Sequence, residues 1–198
     1  MTEHKDYAGS KMGMWLFLFT EILLFGGLFL LYSAYLHRYP GEFHEAGKTE
    51  NLVLGGANTV ILIGSSFTVA LSITALRLGK IKHCLILLGL TVVLALSFLV
   101  NKFFEWSAKF SQGIYPGSEH MKTLPAGENV FNSLYFAMTG LHGLHVIIGS
   151  VLLSVVAVFV ARGRVNRDDF VILENAGLYW HLVDLIWIFL FPLFYLIA

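Results

Sequence analysis

Charged residues are scarce in this chain. Of its 198 residues, only 13% are Asp, Glu, Lys or Arg, whereas 57% are hydrophobic. A soluble domain usually carries about 25% charged residues, and a soluble core of this length cannot hide so much apolar surface without a larger polar covering. The composition therefore excludes an ordinary soluble domain and favours a protein whose exterior faces lipid.

Neither sign of charge is in excess, and cysteine is nearly absent. Acidic and basic residues balance, so the formal net charge is zero. We therefore expect no basic surface for nucleic acid or for an acidic partner. Cys84 is the single cysteine, which excludes an intramolecular disulfide and leaves the redox compartment open.

Long apolar stretches dominate the chain. A helix needs about 20 mostly apolar residues to cross about 30 Å of hydrocarbon, and none of the long stretches alternates as a barrel strand would. The sequence therefore predicts an all-α membrane protein, a single domain over residues 1–198 that forms a bundle of five transmembrane helices. The first stretch is longer than a signal-peptide core, so we expect it to be retained. The predicted spans are residues 14–35, 52–76, 84–104, 131–160 and 178–197.

Basic residues are distributed unevenly between the two sides that five spans create. Eight lie on the side of the N terminus and five on the other side. This excess predicts a cytoplasmic N terminus and a C terminus outside. The eight are Lys5, Lys11, Arg77, Lys80, Lys82, Arg162, Arg164 and Arg167.

Several polar side chains fall inside the predicted spans, where lipid makes them costly. The simplest interpretation is a buried polar network that hydrogen-bonds across helices, at about 0.6–2 kcal/mol per bond. We expect Glu105 to lie at the outer surface, directly after the end of the third span. The members of the predicted network are Glu21, Asn58, His142, His145, His181 and Asp184.

Two other interpretations of these groups stay open. A haem or metal site could use His142 and His145, which share a helix face, together with His181. Against it, the expected depths of His145 and His181 in the bilayer do not converge. A proton pathway could use Glu21, although a transmembrane relay needs a longer chain of such groups. The residues alone favour an accessory membrane subunit over a transporter.

Two motifs in the second half of the chain resemble the haem-copper oxidase subunit III family. Residues 139–150 resemble that family's paired-histidine motif, and residues 174–187 resemble its Tyr-Trp-His-x-Val-Asp motif. The first span resembles the family's helix with a buried carboxylate, at Glu21. The family motif positions are Glu105, Gly140, His142, Gly143, His145, Glu174, Tyr179, Trp180, His181, Asp184 and Trp187.

The resemblance covers nearly the whole chain and implies a non-catalytic subunit of a respiratory terminal oxidase in a bacterial cytoplasmic membrane. The implied partners are subunit I, subunit II and a small subunit IV. Haem and copper would be held by subunit I, with no metal or other cofactor in this chain beyond bound phospholipid. The implied role is to stabilise subunit I and support its proton uptake while oxygen is reduced to water and protons are pumped.

Longer family members have seven helices, whose first two have no counterpart among the five predicted spans. The five-helix form resembles the subunit III of quinol oxidases and of some bacterial cytochrome c oxidases, so the electron donor stays open. It also resembles an accessory subunit associated with nitric oxide reductase, especially over residues 185–195. That accessory subunit is the main alternative function, and an independent small transporter is the other.

Overall fold

The computed structural model describes residues 6–197, so Lys5 and Ala198 lie outside the described residues. Within this range the chain forms seven α-helices and a short C-terminal π-helix. Five helical segments are long and apolar enough to span a membrane, which confirms the predicted all-α membrane fold. The elements are α1 (Tyr7–Arg38), α2 (Pro40–Gly47), α3 (Leu52–Arg77), α4 (Ile81–Ser111), α5 (Glu119–Thr123), α6 (Ala126–Ala161), α7 (Val171–Pro192) and the π-helix Leu193–Ile197.

The spanning helices extend beyond the apolar stretches that predicted them. α1 begins at Tyr7, where the Asp6 side chain accepts a hydrogen bond from the Gly9 backbone N–H at 2.7 Å and caps the helix. α4 continues to Ser111, so the expectation that Glu105 closes the third span at the surface is wrong. Glu105 is buried more than a turn before the helix ends.

The span of α7 is the most enclosed of the five. Half of the residues in the most apolar window of α7 are buried, against 11% for α1. α7 contacts α3 and α6, α3 pairs with α4, and α1 lies at the edge against α6 and α7. The end of the bundle that holds the start of α1 and the turns after α3 and α6 is called the N-terminal end below. The opposite end holds α2, α5 and the π-helix.

Glycine lets α6 and α7 approach closely. A Cβ on Gly149 of α6 would lie 2.7 Å from Cε3 of Trp180 on α7, a distance that no side chain tolerates without movement. Gly143, also on α6, differs, because a Cβ there would meet nothing within 4 Å. Close packing of α6 against α7 therefore requires a glycine at position 149 but not at position 143.

The π-helix turns the last aromatic residues into the bundle. Pro192 has no backbone N–H to continue the α-helical pattern, and the chain changes to a π-helix directly after it. The Tyr32 hydroxyl donates to the Leu193 carbonyl, and Phe194 packs edge-on against Tyr32 at 5.1 Å between ring centroids. As a result Tyr195 is buried at the opposite end of the bundle.

Candidate functional site

Glu21 of α1 and His145 of α6 form a pair across the helix interface. Glu21 Oε2 lies 2.9 Å from His145 Nε2, and the two side chains are 14% and 10% exposed. His145 Nδ1 lies 2.7 Å from the Leu141 carbonyl oxygen. Because a carbonyl only accepts hydrogen bonds, Nδ1 must carry a proton. His145 Nε2 and Glu21 Oε2 therefore share one bridging proton, which resides either on the carboxyl or on the imidazole.

His142 does not join this pair, although it lies on the same helix. It is fully buried, and its ring packs against Phe98 and Trp187 at 5.5 and 5.2 Å between centroids. Neither ring nitrogen has a hydrogen-bond partner among residues 6–197. The two histidines of the motif thus have separate surroundings, one polar and one aromatic.

His181 and Asp184 both lie near the hydroxyl of Ser66 on α3. His181 Nδ1 lies 2.6 Å from Ser66 Oγ on α3. The Asp184 carboxylate lies near the same hydroxyl, but neither of its oxygens makes a hydrogen bond within the described part of the chain. Asn58 instead accepts a hydrogen bond from Asn101 Nδ2 at 2.9 Å.

The residues of the predicted polar network therefore form separate small contacts rather than one connected array. The structure does not bring His142, His145 and His181 around a common point. Among the described residues, no three His, Cys, Asp or Glu side chains are grouped closely enough to hold a metal ion.

The aromatic residues of the second motif attach α7 to its neighbours. Trp180 Nε1 donates to Ser65 Oγ and Trp187 Nε1 donates to Thr59 Oγ1, both at 3.0 Å and both on α3. The Tyr179 hydroxyl donates to the His145 carbonyl on α6 at 3.3 Å. These bonds hold α7 in register with α3 and α6.

Glu174 joins three helices at the N-terminal end. It lies in the first turn of α7, and its carboxylate pairs with Lys11 of α1 at 2.9 Å and with Arg77 of α3. Asn175 adds a 3.1 Å hydrogen bond to Ser10 Oγ. Glu174 thereby anchors the start of α1 to the rest of the bundle.

The opposite end of the bundle holds a buried ionic cluster, and Glu105 is the one member of it that the sequence analysis singled out. Lys102 Nζ lies 3.0 Å from Glu105 Oε1, 3.1 Å from the Tyr135 hydroxyl and 2.8 Å from the Tyr195 hydroxyl. Both phenols also donate to that Glu105 oxygen. The spacing of Lys102, Glu105 and Lys109 places them on one face of α4, and this is the signal that predicts such a cluster.

The cluster continues towards the end of α4 through a second ion pair. Lys109 Nζ lies 2.6 Å from Glu50 Oε1, with the side chains 8% and 1% exposed. Burial raises the pKa of the Glu50 carboxyl, and the charge of Lys109 opposes that shift. This pair connects the segment between α2 and α3 to α4.

Comparisons with known proteins agree with the motifs. The family model described as cytochrome c oxidase subunit III matches residues 3–198. Cytochrome c oxidase subunit 3 of Synechocystis is 34% identical over 98% of this chain and 78% of its own length. The probable quinol oxidase subunit 3 of Staphylococcus saprophyticus is 32% identical over 96% and 89%. Because both the family model and these relatives cover nearly the whole chain, this protein belongs to the cytochrome c oxidase subunit III family.

Proposed function

We propose that this chain is the subunit III of a haem-copper terminal oxidase, where it supports the catalytic subunit and has no catalytic centre of its own. Family membership and the names of the oxidase relatives support the assignment. In this proposal subunit I holds the haem and copper, this chain holds no metal, and subunits II and IV complete the complex. Phospholipid is the proposed ligand of the chain's lipid-facing surface.

The Glu21–His145 pair carries the functional part of the proposal, which is support of proton uptake by subunit I. It lies between α6 and α1, the least enclosed span. The single shared proton lets the pair be electrically neutral as a unit, so it can reside in lipid at low cost. When that proton moves between Nε2 and Oε2, the net charge of the pair does not change. The pair can therefore hold a proton close to a neighbouring subunit.

The proposed location is a bacterial cytoplasmic membrane, with the N terminus in the cytoplasm. The basic residues at the N-terminal end of the bundle support this orientation. The bundle end that carries Glu174 and its two cations would then face the cytoplasm, the side from which protons are taken up.

The test measures oxygen consumption against time by the purified complex with and without this chain, at two pH values. Without the chain, the rate should begin near normal and then decline during turnover, faster at the higher pH where protons are scarce. A Glu21→Leu complex should reproduce part of the decline, whereas Leu23→Val, on the exposed face of α1, should not.

Three results would overturn the proposal. Immediate and complete inactivity with intact haems would mean that the chain has a catalytic part. An identical time course with and without the chain would mean that it does not support turnover. Reduction of nitric oxide in place of oxygen by the same complex would assign the chain to nitric oxide reduction.

A further inference from the structure

A cleft opens at the N-terminal end of the bundle, between α1 and α3 and over the first turns of α7. Its volume is about 420 Å³. Glu174 and its two cations, Lys11 and Arg77, form the mouth, and both cations are about half exposed. His181 lies seven residues beyond Glu174 on α7 and lines the inner end. At 1.5 Å per residue the cleft therefore reaches about 10 Å into the bundle.

The walls of the cleft are apolar, but its inner end is not. Trp15, Ile73 and Leu178 line the walls. At the inner end His181 Nδ1 is engaged by Ser66, whereas Nε2 makes no hydrogen bond within the described part of the chain. A hydrocarbon chain in the cleft would leave that nitrogen unpaired, at a cost of about 1–3 kcal/mol, whereas a water molecule would pair with it. The cleft has room for about ten water molecules, and it suits water better than lipid.

The Ser66 hydroxyl differs from its neighbours on α3. Three nearby hydroxyls donate to carbonyls of their own helix at 2.7 or 2.8 Å, namely those of Ser65, Thr68 and Ser72. Ser66 makes no such bond among the residues that the structure describes. Its Oγ lies 2.6 Å from His181 Nδ1 and close to the Asp184 carboxyl. The Ser66 hydroxyl is therefore available to two titratable groups at once.

Asp184 has no other polar connection. Neither of its oxygens makes a hydrogen bond of good geometry within residues 6–197. The helices packed against α7 are α1, α3 and α6, and Arg77 at the cleft mouth is the only charged residue of α3. The carboxyl and imidazole groups in the interior of α1 and α6 are those of Glu21, His142 and His145. None of them pairs with Asp184, so its route to the cleft passes through Ser66 and His181.

We infer that Asp184 is a proton-binding site that exchanges protons with water at the N-terminal end of the bundle through His181 and Ser66. A hydronium ion in the cleft gives a proton to His181 Nε2, the proton on Nδ1 passes to Ser66 Oγ, and the original hydroxyl proton of Ser66 passes to the Asp184 carboxylate. Three bonds to hydrogen form and three break.

This sequence of transfers leaves Asp184 neutral and His181 neutral, with the imidazole proton now on Nε2. The reverse sequence returns the proton to the cleft and restores the first tautomer. The use of this site during proton uptake by a complex rests on the proposed function, whereas the exchange itself does not.

Infrared spectroscopy of the intact, purified complex tests the exchange. A protonated carboxyl band that Asp184→Asn lacks belongs to Asp184, and it shifts when heavy water replaces water. A positioned proton-transfer group contributes about 10²–10⁴-fold to a rate. At a temperature low enough to resolve the unmodified rate, Ser66→Ala should therefore slow the shift at least about a hundredfold.

Ser97→Ala is the matched control, because it removes an exposed hydroxyl of α4 that donates to its own helix, and it should leave the rate unchanged. Equal rates in Ser66→Ala and Ser97→Ala would refute the relay. The absence of an Asp184 band at every pH at which the complex is intact would refute the proton-binding site.

Water in the cleft gives a second readout that leaves the relay residues unaltered. Ala70 lines the cleft, whereas its neighbour Leu71 is exposed outside it at the same depth of α3. The thiolate is the reactive form of cysteine, and apolar surroundings suppress it. In the intact complex Ala70→Cys should therefore react with a charged thiol reagent at least about tenfold faster than Leu71→Cys. The buried Cys84 of the unmodified complex gives the background.

Equally slow labelling at the two positions would mean that hydrocarbon fills the cleft, and it would overturn the inference. The proposed function would still stand in that case, because it is decided by oxygen consumption. A failure of the proposed function would in turn leave the band shift and the labelling unchanged.

Discussion

Asp184 is a buried carboxyl group that makes no hydrogen bond of good geometry within the described part of the chain. It is 3% exposed, and the Ser66 hydroxyl close to it also lies 2.6 Å from His181 Nδ1. A side chain kept only for stability would have a partner of its own, since buried polar groups are almost always bonded. We therefore interpret Asp184 as a residue retained for the work of the complex.

Asp184→Leu should separate stability from function. Removing an unbonded buried carboxyl is neutral or stabilising, so the thermal unfolding midpoint of the purified complex should stay unchanged or rise. Oxygen consumption should nevertheless decline faster during turnover than in the unmodified complex. Asp184→Asn, which keeps the shape, is the control. A lower midpoint with an unaltered time course would show that Asp184 is structural.

Gly149→Ala should destabilise the subunit. Its new methyl group would meet the ring of Trp180 at 2.7 Å, and overpacking of this kind costs about 1–3 kcal/mol. The matched change Gly143→Ala has free space and should stay within about 0.5 kcal/mol. Denaturant unfolding in detergent measures both. Equal effects of the two substitutions would mean that α6 and α7 can separate without cost.

Among the elements, the spanning helices could be predicted from the sequence, but their ends could not. Twenty apolar residues determine that a helix crosses the bilayer, whereas its end depends on local bonds such as the Asp6 cap. Polar residues also continue α4 to Ser111. The burial of Glu105 follows from this continuation together with Tyr195, which the π-helix carries back into the bundle.

Contacts between side chains of different helices could not be predicted from the sequence either. His145 lies 124 residues from Glu21, and no local pattern specifies that pairing. The two motifs single out residues of α6 and α7. They did not indicate that His142 faces aromatic rings while His145 faces a carboxylate.

Lys109→Met should show how the loop before α3 is held to α4. The change leaves the Glu50 carboxylate buried without its cation, which costs about 3–5 kcal/mol. Because burial already raises the pKa of Glu50, that side chain would take up a proton and recover part of the loss. The double change Glu50→Leu with Lys109→Met removes both charges and should cost less than the single one. Unfolding of both variants is measured in parallel. A double variant worse than the single one would contradict this account.

For the whole molecule, the structure makes the charge asymmetry between the two ends sharper than the sequence does. At the opposite end, Lys102 and Lys109 are buried in pairs with Glu105 and Glu50. The exposed Lys48 and Lys122 of the same end are each paired with a glutamate three residues away. Among the described residues, most of the basic side chains without an acidic partner therefore lie at the N-terminal end, in and beside the turns after α3 and α6.

This asymmetry predicts the orientation of the protein in the membrane. Positive charge in short loops is retained on the cytoplasmic side, so the turn around Gly79 should be cytoplasmic and the end of the π-helix should be outside. In a bacterial host, a reporter that fluoresces only in the cytoplasm should be dark when fused after the last residue. The same reporter fused after Gly79, which lies in the exposed turn between α3 and α4, should be bright. An exported phosphatase at the two positions should give the reverse result. Bright fluorescence at the C terminus, with a dark Gly79 fusion, would invert the molecule and place Glu174 and its cations outside.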